Sequence, residues 1–355
     1  MKKLIIAAGL LMTTSAYAQT EVLTGVTREK DYGVVYSLPK TQIELEIKAN
    51  KVKYTPGEFS KYADRYLRLN NVSTDPEVYW ELASVKVKSV GVPNSDATYF
   101  VKLKDKTVAP LMELTEDGIV KSINVPYSQN GSAKKNTPTA PAGQVSANPR
   151  DFLTEEILMA NSTAKMAELV AKEIYNIRES KNALLRGQAD NMPSDGAQHK
   201  IMIDNLNLQE EAMTKMFSGI REKEEKTFTV RLTPNKEFSN EVAFRFSKKL
   251  GVVANNDLAG TPFYISLKDL KTVKIPQEDG KKKKDLEGIA YNVPGQALVT
   301  LTDGKKKLYE GELPVTQFGI IEYLAPVLFN KSSTIKVYFD PNTGGLLKVD
   351  REEGK

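Results

Sequence analysis

The chain has 355 residues, no cysteine, one histidine, and 50 lysines and arginines against 45 aspartates and glutamates, for a formal net charge of +5. This excludes disulfide scaffolds, cysteine nucleophiles and zinc sites built on several histidines, and the small, well-mixed basic surplus is not the footprint of a nucleic-acid binder. The length is enough for two domains, which must owe their stability to buried apolar surface.

The first element is a leader. Lys2 and Lys3, the apolar run Leu4 to Met12, and the small residues Ala16 and Ala18 follow in the order of a secretory signal peptide, residues 1–18, with cleavage expected before Gln19. The run is too short to span a bilayer, no cysteine follows it to carry a lipid, and no later stretch reads as a transmembrane segment. The expected mature protein is exported and is not a lipoprotein: periplasmic, outer-membrane-associated or secreted.

Residues 19–127 read as an N-terminal β region. Apolar and polar residues alternate from Ile43 to Ile47, and "WELASVKVKSVGV", "ATYFVKLK" and "GIVKSINVPY" continue the period of two. "PGEFSKYADRYL" breaks it with Phe59, Tyr62 and Tyr66 spaced for one face of a short helix. Residues 128–150 are rich in Pro, Ala, Asn, Ser and Gly and nearly lack bulky apolar side chains, the composition of a flexible linker.

Residues 151–222 read as a helical hairpin. Leu153, Ile157, Ala160, Ala164, Ala167, Ala171, Ile174 and Leu185 recur at helical spacing, and the alanines would let a neighbour approach closely. Gly187 is a natural stop, and Pro193-Ser194-Asp195-Gly196 a natural start. The second helix carries Met202, Leu206, Met213, Met216 or Phe217, and Ile220 on one stripe. Residues 223–355 return to the period of two as a C-terminal β domain. Tyr291-Asn292-Val293-Pro294 there echoes Tyr36-Ser37-Leu38-Pro39. The simpler reading is that both strands begin after the same kind of proline-marked turn; two related β modules is the alternative. The expected fold class is α+β, mainly β: two antiparallel β regions with a long α-helical hairpin between them.

"AKEIYNIRESKNALLRGQADNMPSDG", "LNLQEEAMTKMFSGI", "FRFSKKLGVV", "YNVPGQALVTL" and "QFG" resemble the DUF4831 family, exported Bacteroidota proteins of unknown function. The resemblance covers nearly the whole mature chain, with the hairpin its most specific part. It implies a Gram-negative envelope or secreted location and no particular reaction.

Little in the chain points to chemistry. "GQADNMPSDG" holds Asp190, Asn191, Ser194 and Asp195, but calcium needs about six to eight oxygens, usually on alternating acidic positions, and Met192-Pro193 interrupts them. A turn explains the stretch better: Gly187 ends a helix and Ser194 or Asp195 caps the next. His199 stands alone in a first helical turn, and no Gly-x-Ser-x-Gly elbow accompanies it. Ser-x-x-Lys occurs at Ser37/Lys40, Ser132/Lys135, Ser162/Lys165 and Ser333/Lys336, as chance allows in a lysine-rich chain; only Ser162 falls on an expected helix. Phosphate-binding glycine loops are absent. Tyr79-Trp80 and Tyr62/Tyr66 could form carbohydrate platforms, though half-buried packing explains them more simply. Lys281 to Lys284 reads as a solvated hairpin tip guarding a sheet edge.

No catalytic, cofactor or metal residue is therefore assigned. The function expected is that of a non-enzymatic binding or assembly protein of the envelope, its partner another envelope protein or polymer, its oligomeric state left open. The alternative is a hydrolase acting on envelope polysaccharide or peptidoglycan through carboxylates that sequence does not single out.

Overall fold

The computed structural model describes residues 21–24, 33–102, 112–127, 148–192, 195–274, 288–325 and 334–352. The expected signal peptide, residues 128–147 of the expected linker, and Lys281 to Lys284 lie outside the described residues.

The first strands are β1 (Glu21–Thr24), β2 (Gly33–Thr55), β3 (Glu77–Lys102), β4 (Met112–Leu114) and β5 (Val120–Ile123). The helices are α1 (Ala63–Leu67), inserted between β2 and β3, then α2 (Glu155–Leu158), α3 (Thr163–Leu185) and α4 (Gly196–Ser218). The chain closes with β6 (Ile220–Leu232), β7 (Phe238–Ser247), β8 (Gly251–Val253), β9 (Thr261–Asp269), β10 (Ile289–Thr302), β11 (Lys307–Leu324), β12 (Thr334–Phe339) and β13 (Leu346–Glu352).

The fold is mainly β, with the long helical hairpin present as α3 and α4. The strands form three antiparallel sheets, of order β1-β3-β2-β6, β11-β10-β9-β7-β8 and β13-β12-β5-β4. The β regions that the sequence separates are interleaved. β6, which follows the hairpin, pairs with β2 from Ile43 to Thr55, and β12 pairs with β5. Only the five-stranded sheet is built wholly from the C-terminal side.

Three cores hold these layers. Ile43, Leu45 and Ile47 of β2 cluster with Phe244, Ile265, Leu267, Val299 and Leu301, joining the first two sheets into a sandwich. Tyr36, Leu38, Tyr99 and Val101 cluster with Ile289, Ala290, Ile123, Val337 and Phe339, which seats the third sheet. A helical core gathers Phe59, Ala63 and Leu67 with Ile157, Ala167, Ile174, Met213 and Phe217. Strand β2 serves the first two. Its buried residues are Tyr36, Leu38 and Pro39, then Thr41, Ile43, Glu44, Leu45, Ile47 and Ala49, then Val52 and Tyr54. Successive side chains point to opposite faces, so the change of phase between Leu38 and Ile43 moves the strand from the core under the third sheet to the sandwich core.

The first change comes at Pro39. There β3 loops out residues 94–97 opposite the single residue Leu38. β10 and β11 repeat the device: β11 loops out residues 316–319 opposite Pro294. Both prolines thus lie inside long strands, not in turns ahead of them, which overturns the simpler reading of the Tyr-x-x-Pro echo. The parallel continues into the short hairpins. Ser37 N–H donates to Gly118 O at 2.9 Å, and Asn292 N–H donates to Gly344 O at 3.1 Å; both glycines have positive φ. Ser37 and Asn292 also form matching isolated parallel bridges, to Ile119 and Gly345. Two related β modules, each a kinked long hairpin followed by a short one, account for these matches.

The modules are tied where they kink. Tyr36 Oη donates to Ala290 O and accepts from Ala290 N–H. The buried Asn292 amide donates to Pro39 O and Thr343 O, each at 2.8 Å. Thr316 N–H donates to Thr41 Oγ1, and Gln317 Nε2 donates to Thr41 O. Looped-out residues of β11 thereby satisfy backbone groups of β2 that its own ladder leaves free.

Candidate functional site

The hairpin is built by its termini. Ser162 caps α3, its hydroxyl accepting from Lys165 N–H, so the helix starts there and not at Leu153; the short α2 precedes it as a separate turn. Residues 148–150, placed in the expected linker, enter a 3-10 turn, Pro149–Phe152. At the other end Gly187 takes φ +68°, its N–H donates to Leu184 O, and Gln188 N–H donates to Ala183 O, closing the helix with a left-handed residue. Asp195 then caps α4 by accepting from Gln198 N–H at 2.8 Å. The 187–196 stretch therefore stops one helix and starts the next. α4 ends at Ser218, so Ile220 and Arg221 belong to β6 and not to the hairpin.

One ionic knot joins the helices. Glu210 of α4 receives Arg178 Nε at 2.7 Å and Lys181 Nζ at 2.6 Å, both from α3. Partial burial raises the Glu210 pKa, but the two cations outweigh it and hold the carboxyl below its ordinary value. Below the knot, toward the sheets, α3 buries Ala167, Val170, Ala171, Ile174 and Ile177, and α4 buries Ala212, Met213, Met216 and Phe217. Phe59 N–H donates to Met216 O, fastening the α1 segment to the end of α4.

Above the knot the helical core thins: Leu184 of α3 is still buried, and Leu206 of α4 packs half-buried against the core. On α4 no residue from Gly196 to Glu211 is buried. Ile201 is 60% exposed, and Met202 and Leu208 are exposed with it. Leu185 of α3 is 64% exposed, because Leu184 takes the inward position expected of it. Met202 likewise leaves the stripe proposed for it, while Ala160 and Ala164 are only half-buried. The signal was present: Ile201, Met202, Ile203, Leu206 and Leu208 are too many, and too widely spread around the axis, for one neighbour to cover.

The other candidate residues have structural roles. Ser162 spends its hydroxyl on capping, and Lys165 pairs with Glu168 at 2.9 Å, which raises the lysine pKa, the reverse of what a lysine base needs. Ser37 hydrogen-bonds Thr98. Ser132, Lys135 and Ser333 lie outside the described residues. His199 is half-exposed in the first turn of α4. Tyr62 and Tyr66 lie 6.1 Å apart, flanking the helical core. Trp80 meets the Phe228 ring edge-on and backs onto Gly251.

Among the described residues, the carboxylates whose pKa shifts move downward. The Glu44 side chain is 8% exposed between Lys88 and Arg231, and its pKa falls through the Lys88 hydrogen bond first and Arg231 second, against burial. Asp303 is lowered by the Lys306 and Lys305 backbone N–H groups. These are fixed anions. Glu222 and Glu224 share one shallow depression with Lys51 and Lys53, but both are exposed, and each has a lysine partner, Lys53 and Lys226. Among the described residues, no three His, Cys, Asp or Glu side chains gather as a metal site, and no helix is long and apolar enough to cross a membrane.

A family model described as Domain of unknown function (DUF4831) matches residues 32–347. The chain belongs to the DUF4831 family. The match runs from the start of β2 into β13, so the interleaved sheets and the hairpin make one DUF4831 unit. No curated protein and no solved structure matches the chain.

Proposed function

We propose that this DUF4831 protein is a non-enzymatic binding protein of the cell envelope, and that it holds a protein partner on the distal half of its helical hairpin. The observation that carries the reading is α4 above the Glu210 knot. It is helical over four turns, buries none of its residues, and presents Ile201, Met202 and Leu208 to solvent. A stiff helix offering an apolar strip is the geometry of helix-in-groove recognition, and exposed apolar surface of this kind marks interaction sites. The export signal expected from the sequence supports an envelope protein as that partner.

The test is a photo-crosslinking amino acid placed at Ile201 or Leu208 of the protein in its native envelope, with Lys268 on the sandwich as control. A single crosslinked protein at the two hairpin positions and not at Lys268 is expected. Equal yields at all three, or none, would overturn the reading.

A further inference from the structure

Several sheet edges among the described residues are blunted. β6 carries six consecutive charges, Arg221 to Lys226; β4 and β8 are three residues long; β11 holds Pro314 and its looped-out segment. These are the usual means of discouraging edge-to-edge pairing. β13 is charged as well, at Lys348, Asp350, Arg351 and Glu352, but its central charges can complement those of a second copy. Among the described residues it pairs only with β12, its register shift leaves Leu347 without a partner on β12, and it exposes Leu347 at 60% and Val349 at 41%.

Its sequence is self-complementary. With two copies antiparallel and Val349 opposite Val349, Lys348 of each copy faces Asp350 of the other. Lys348 and Asp350 already form an ion pair within the strand at 2.6 Å, so the four groups would close into an alternating square on the outer face. The opposite face centres on Val349, with Leu347 of each copy across from Arg351 of the other. Val349 lies across from the buried Val337, and in the pair Leu347 would sit diagonal to Val349 of the second copy.

We propose that β13 is a homodimer edge: a second copy of this chain adds its own β13, antiparallel and centred on Val349, to make one eight-stranded sheet from two four-stranded ones. Backbone pairing supplies the affinity, and the Lys348–Asp350 square selects the register. The contact is separate from the hairpin surface, and the measurements do not overlap.

Sedimentation equilibrium of the full chain at low salt tests it with two charge variants. K348D places like negative charges across the axis and D350K like positive ones, so each alone should weaken dimerisation about tenfold relative to wild type. An equimolar mixture of the two restores opposite charges at both crossings and should recover wild-type dimerisation as a heterodimer, which also shows that both variants are folded. A wild-type chain that stays monomeric at every concentration, variants that dimerise like wild type, or a mixture no tighter than its components would each overturn the proposal.

Discussion

Ser37 and Asn292 occupy equivalent places: each donates its N–H to the carbonyl of a positive-φ glycine at the tip of a short hairpin, Gly118 for one and Gly344 for the other. The two glycines have different surroundings, and this asymmetry gives a measurable consequence. A Cβ on Gly118 would meet nothing within 4 Å, whereas on Gly344 it would stand 2.6 Å from Pro39 Cδ and 3.1 Å from Asn292 Nδ2. Gly118→Ala should therefore cost only the left-handed strain, about 1–2 kcal/mol. Gly344→Ala should add an overpacking cost of about 1–3 kcal/mol, because Pro39 and Asn292 belong to the tie between the modules. Denaturant unfolding of the two variants decides this; equal costs would mean that the kink can yield around a methyl group.

The small-residue face of α3 is the second place to test. Ala167 is fully buried among Phe59, Met213 and Phe217, and Glu168 beside it is exposed and paired with Lys165. Ala167→Phe should destabilise by about 1–3 kcal/mol or more. Glu168→Phe should stay within about 0.5 kcal/mol, as surface changes do. If the two variants unfold at the same denaturant concentration, the helical core is not packed as described.

How far the sequence could be read follows from what each signal measures. Capping is local, so Gly187 and Asp195 mark the hairpin's turn correctly, and the alternation from Ile43 to Ile47 marks a strand with one face inward. Burial is not local. Leu184 and Leu185 are the same residue type at adjacent positions, and only the place of α4 decides which goes inside. Periodicity finds strands but not their neighbours: the pairing of β2 with β6 spans the whole hairpin in sequence and leaves no mark in either segment. The Tyr-x-x-Pro echo was visible, yet its meaning lay in residues 94–97 and 316–319, where two unlike sequences perform the same loop-out. The candidate surface went unread for a related reason. An apolar residue such as Ile201 reads as core until the body beneath it is seen to end.

Glu210 links the hairpin to pH. Its folded-state pKa lies below the ordinary value of 4.5, so protons bind the unfolded chain more readily. Its ion pairs are therefore fully stabilising above about pH 4.5 and are lost as pH falls through the depressed folded value. Glu210 is 19% exposed, while Arg178 at 39% is open enough for solvent to screen it, which limits the contribution. Glu210→Gln should destabilise by about 1–3 kcal/mol at neutral pH, the range for hydrogen bonds to charged groups. The gap between wild type and variant should then narrow as pH drops below 4.5, since wild type loses the same interactions by protonation. Raising salt should leave most of the neutral-pH gap in place, because Glu210 and Lys181 are both largely sheltered. Urea unfolding of both proteins across the acid range measures this directly. Two stability curves that stay parallel through pH 4.5 would show that Glu210 does not fasten α4 to α3, and that the exposed half of the hairpin is held by something other than this knot.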